Sequence, residues 1–132
     1  MLAVDTNVLL RFILEDDLEQ ALRAKQAIVK AHHDGKALYL SQAVFQELVW
    51  VLQAVKKIPR AHVVRAVDGV LSMPVWNFEA PARMARALQY YEQYEVDFTD
   101  AMLAAISHEK GLDGVLSFDR DLGMIGARWV RP

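Results

Sequence analysis

Apolar residues along the chain alternate between two spacings. Short runs that suit buried strands are Leu2-Ala3-Val4, Ala37 to Leu40, Val75 to Phe78, Gly114 to Ser117 and Arg128 to Val130. Between them the spacing turns helical. Leu18, Ala21, Leu22, Ile28, Val29 and His32 fit one helix face that follows the acidic start Asp16-Asp17, with Gly35 placed to end it. A second helix is predicted from Gln42 to Ile58, with Ser41 as N-cap and Pro59 just beyond its end. Ala61, Val64, Val67 and Leu71 mark a third, Pro81 opens a fourth, and a fifth runs from about Phe98 to Lys110, closed by Gly111. Strands that alternate with helices imply an α/β fold with a parallel sheet, which binds ligands at the carboxyl ends of its strands.

The acids beside those strand ends are few. Asp5 follows the first strand, Glu47 lies about two turns into the second helix, Asp97 and Asp100 open the fifth, and Asp119 follows the fourth strand. Each has a purely structural use. Asp5 suits an Asx turn with Thr6 or Asn7, Asp97 an N-cap, Asp100 a first-turn acid, and Asp119-Arg120-Asp121 a turn. Glu47 stands in a helix that is apolar nearly all round, so it is either exposed or buried with a partner. If these carboxylates converged, each ionised pair 4 Å apart would repel by about 4 kcal/mol at an effective dielectric near 20. A hard divalent cation removes that penalty, and an all-oxygen donor set points to Mg²⁺ or Mn²⁺ and to phosphate chemistry.

Length and composition narrow the classes. The 132 residues suffice for one domain, taken as residues 1–132, and 54% hydrophobic against 24% charged residues excludes a disordered chain. The absence of cysteine excludes disulfides and thiolate metal sites. A net charge of −2 means that any contact with nucleic acid depends on a local basic patch. Lys56, Lys57, Arg60, His62 and Arg65 form the densest such cluster, and Arg11 lies in the turn of chain just past Asp5. Tyr90, Tyr91 and Tyr94 are of a kind to stack on bases or to pack in the core. No apolar run is long enough for a membrane span, so a cytoplasmic location is expected.

Four segments in order, Val4-Asp5-Thr6-Asn7-Val8-Leu9, Ser41 through Trp50, Asp97 through Ala105 and Ser117 through Leu122, resemble the PIN-domain ribonucleases, and most closely the VapC-type toxins of toxin–antitoxin modules. The resemblance implies a three-layer αβα sandwich with a parallel β-sheet and an acidic pocket that binds Mg²⁺ or Mn²⁺ and cleaves RNA. Carried over position by position, Asp5, Glu47, Asp100 and Asp119 are its catalytic acids, Asp97 is a further metal contact or a cap, and Thr6, Asn7 and Ser117 support them from behind. It implies a small antitoxin as partner, and the surplus of apolar surface on the second helix suggests a homodimer. A haloacid dehalogenase-type phosphatase would need a second aspartate where Asn7 stands, and a receiver domain would need an acidic pair and a late lysine that are not in place. The competing class is a catalytically inactive RNA-binding or protein-docking module of the same fold.

Overall fold

The computed structural model describes residues 1–132 and falls into two compact units, Met1–Glu79 and Ala80–Pro132. In the first, strand β1 (Leu2–Ala3) leads into helices α1 (Thr6–Leu14) and α2 (Leu18–His33), and β2 (Leu38–Leu40) into α3 (Gln42–Trp50). A π-helical turn over Val51–Val55 continues α3, and α4 (Arg60–Leu71) returns the chain to β3 (Trp76–Phe78). The strands form one parallel sheet in the order β1-β2-β3, with Leu2 beside Leu38 and Leu38 beside Trp76. The second unit holds α5 (Pro81–Gln93), α6 (Phe98–Lys110), β4 (Val115–Leu116), the single turn α7 (Asp121–Met124) and β5 (Trp129–Val130). Its two strands are also parallel, with Val115 beside Trp129. All five expected strands form and every pairing is parallel, but they are shared between two sheets. β1, β4 and β5 are only two residues long.

Three elements differ from the sequence reading. The chain past Asp5 is a helix rather than a turn. Thr6 and Leu9 are buried on one side of α1, and Asp5 caps it by accepting the Thr6 N–H at 2.8 Å. The second predicted helix stays α-helical only to Trp50 before it widens into the π turn, short of the expected end at Ile58. In α2 the buried face is Ala21, Ala24 and Ile28, while Leu18, Leu22 and Val29 are 76%, 56% and 53% exposed. At about 100° per residue these are two neighbouring stripes. The stripe rich in alanine is the one that faces inward, because small side chains let two helices approach closely.

The start of α3 is held twice. The Ser41 hydroxyl accepts the Val44 N–H at 3.2 Å, and the Glu79 carboxylate, from just past β3, accepts the Gln42 N–H at 3.0 Å and the Tyr39 hydroxyl at 3.3 Å. The bonds to Val44 and Gln42 each satisfy an N–H that a helix end leaves without an internal partner. Ser41→Ala should therefore cost about 1 kcal/mol in urea unfolding. A cost near zero would mean that Glu79 alone suffices. The core of this unit is aliphatic and aromatic, with Leu40, Phe45, Leu48, Val49, Leu52, Val63 and Val67 wholly buried. In the second unit α5 packs on α6, and Tyr91 meets Phe98 edge to face with ring centroids 5.6 Å apart. Tyr91 is thus a core residue rather than a base-stacking platform.

Candidate metal centre

The carboxylates that the structure draws together lie at the start of α6 and around α7. Val96 and Phe98 are buried on either side of Asp97 and anchor the helix start, which puts Asp100 in the first turn of α6. Asp97 occupies the N-cap position, but its side chain makes no capping hydrogen bond. Helix starts favour an acid that caps. Asp97 forgoes that bond, so its carboxylate is free for another role.

Asp119 is positioned by a chain of local bonds. The Ser117 hydroxyl accepts the Asp119 N–H at 2.9 Å, and the Asp119 carboxylate accepts the Asp121 N–H at 2.9 Å. Ser117 is tied in turn to β5, since its carbonyl oxygen accepts the Trp129 indole N–H at 2.7 Å. The expected turn is present, and it holds out a carboxylate that still has an oxygen to offer.

Asp100 shows what this crowding does. Burial first, then the charge of Asp119, a hydrogen bond to Asp119 and the charges of Asp97 and Asp121 push its carboxyl up to about 6. An acid in the first turn of a helix is ordinarily helped to ionise by the helix dipole. Here desolvation and like-charge repulsion outweigh that help. Asp121 is the participant that the sequence reading missed as a separate contributor, although its D-x-D spacing with Asp119 was the available signal.

The donors are all carboxylate oxygens, and the group lacks a lysine or arginine to neutralise it, which fits a hard divalent cation and suits zinc or copper poorly. No group of three or more His, Cys, Asp or Glu side chains is arranged so that it could by itself hold a metal ion. A cation that keeps several of its own waters needs fewer protein donors than a complete cage supplies.

In the first unit, Asp5 sits at the amino end of α1 and Glu47 on α3, two helices that pack together, and no hydrogen bond joins the two acids. Both are exposed, which resolves the two readings of Glu47 in favour of solvent. Thr6 is buried directly behind Asp5, and Asn7 faces an open cleft. Glu79, which anchors the helix carrying Glu47, had no sequence signal, because its partner Gln42 is 37 residues away.

Two comparisons with known proteins bear on this arrangement. The chain is similar to the VapC ribonuclease of Aquifex aeolicus (strain VF5), at 26% identity over 132 residues that cover 100% of this chain and 97% of that protein. The sequence profile of the PIN domain matches residues 2–127, a span that takes in all five strands except the last and every acid discussed above. With its parallel α/β architecture and its ordered acidic segments, this chain belongs to the PIN-domain family.

Proposed function

We propose that this protein is a metal-dependent ribonuclease, acting as a single PIN domain over residues 1–132, that hydrolyses RNA phosphodiester bonds as the toxin of a toxin–antitoxin pair. The observation that carries the reading is the grouping of Asp97, Asp119 and Asp121 around Asp100, which hydrogen-bonds Asp119, with no lysine or arginine paired to any of the four. Maintaining such repulsion is costly unless a bound ion uses it. Family membership and the relative named a ribonuclease point the same way.

Asp5, Asp100 and Asp119 would hold Mg²⁺ or Mn²⁺, with Asp97 as a further contact. When bound, such an ion offsets charge on the phosphate and lowers the pKa of water. Asp100 must give up its proton to serve as a ligand. Glu47 would accept a proton from the attacking water or help to hold the ion. Thr6, Asn7 and Ser117 keep Asp5 and Asp119 in place, as supporting groups do around metal ligands.

The partners under this reading are an RNA substrate, a small antitoxin and a second copy of the chain, in the cytoplasm. The exposed stripe of Leu18, Leu22 and Val29 and the exposed Trp50 and Val55 supply apolar surface for protein contacts. No helix is long and apolar enough to cross a membrane.

Purified protein should cut single-stranded RNA with Mn²⁺ or Mg²⁺ and stop in EDTA, and Asp5→Asn should abolish cutting without changing the circular dichroism spectrum. Saturating metal should also stabilise the fold, by about 2.7 kcal/mol at a hundredfold excess over Kd. RNA that stays intact with either ion would leave the inactive docking module as the better reading. For the toxin role, induced expression without a partner should arrest growth, and normal growth would count against it.

A further inference from the structure

Between α1 and α2 lies an open cleft of about 380 Å³ that the proposed metal site does not use. Asn7 and Arg11, one turn apart on α1, face Gln20 and Arg23, nearly one turn apart on α2, and Ala24 and Ala27 leave the room between them. No carboxylate lines it. Arg11 is paired with the exposed Asp16 at 3.1 Å, and Arg23 forms no ion pair. In a chain of net charge −2 this is a local concentration of guanidinium and amide donors, and it begins two residues from Asp5.

The acids that would hold a metal repel the phosphates on either side of the one being cut. A strand bound across them therefore needs cations within one or two nucleotides. We propose that the α1–α2 cleft is a phosphate subsite for single-stranded RNA, in which Arg23 holds a backbone phosphate flanking the scissile one and Arg11 exchanges Asp16 for the same strand. This rests on the ribonuclease reading. Guanidinium groups also accept carboxylates, but an acidic peptide laid here would run toward the Asp5 carboxylate, whereas an RNA strand arrives there with the phosphate that the metal requires.

The test compares wild type, Arg23→Gln, Asp16→Asn and Lys110→Gln, the last an exposed basic residue at the carboxyl end of α6 that serves as control. Cleavage of a 12-nucleotide single-stranded RNA with Mn²⁺ is followed together with binding of the same RNA in EDTA by fluorescence anisotropy over a range of salt. Arg23→Gln should raise KM and Kd about fivefold, leave kcat within about twofold, and flatten the slope of log Kd against log salt by about 0.7, the loss of one single-strand phosphate contact. Asp16→Asn, which frees Arg11, should lower KM, and Lys110→Gln should change nothing. Wild type that cleaves while Arg23→Gln retains its KM and its salt slope would overturn the subsite. Wild type that does not cleave, but whose binding in EDTA still loses that slope in Arg23→Gln, would overturn the ribonuclease reading and keep the cleft. Weakened binding of a polyglutamate peptide with RNA binding unchanged would assign the cleft to a protein and overturn the proposal.

Discussion

Asp100→Asn should abolish metal-dependent RNA cleavage and, at pH 7, raise the melting temperature of the metal-free protein. The two effects have one cause. The carboxyl at 100 is pushed up to about 6 by burial and by Asp119, Asp97 and Asp121, so the folded protein binds its proton more tightly than the unfolded chain does. The stability linked to that proton is present in full below about pH 4 and is lost as pH rises through about 6. Above that, ionised Asp100 destabilises the fold. The full difference corresponds to about 3 kcal/mol, and solvent screening at a partly exposed group reduces it to about 1–2 kcal/mol. Asparagine keeps the shape and removes the charge. The wild type should therefore lose stability between pH 4 and pH 7, and the variant should lack that loss and melt roughly 5 °C higher at pH 7. Cleavage should fall by more than roughly 100-fold, since even outer partners of a metal cost about 10–100-fold. Equal pH profiles for the two proteins would show that the aspartates do not repel one another, and the candidate site would lose its electrostatic basis.

Gly114→Ala should cost roughly 2–5 kcal/mol in chemical denaturation, more than any single cap or surface charge in this chain. Gly114 stands at φ +151°, a conformation that side chains rarely adopt, and an added Cβ would overlap the Arg128 carbonyl oxygen and lie 3.1 Å from the Arg128 Cβ. That carbonyl accepts the Val115 N–H at 2.7 Å, the bond that begins the β4–β5 pairing. A methyl group there forces the two short strands apart. The damage should reach the site, because Trp129 on β5 bonds the Ser117 carbonyl, and Ser117 bonds the backbone of Asp119. Gly111 is the control. It has φ +60° but nothing within 4 Å of an added Cβ, so Gly111→Ala should cost only about 1–2 kcal/mol. Similar costs at both positions would mean that the close approach to Arg128 is relaxed in solution.

Local chemistry made much of the fold legible. Ser41 before Gln42, Pro81 at the start of α5 and Gly111 after Lys110 act within one turn of where they stand, and each marks its helix end as read. The helix after Asp5 was missed because its apolar run, Val8 to Leu14, is broken only by Arg11 and gives no clear period. The π turn after Trp50 has no local signal, since Val51 to Val55 reads as good helix. At the site, the order and spacing of the acidic segments identified the residue types. They did not show that Asp97 forgoes its cap, that Asp121 adds its charge to Asp100, or that Glu47 is exposed.

Sequence alone specifies the five strands, the helices α2 to α6, their parallel alternation and the family, because caps, breakers and apolar periods act over a few residues. Which stripe of α2 turns inward, which strand pairs with which, how far Asp100 is pushed from its ordinary acidity and where Arg11 and Arg23 open a cleft were decided only by the tertiary structure. Each depends on atoms brought together from distant parts of the chain, where burial and charge act through space.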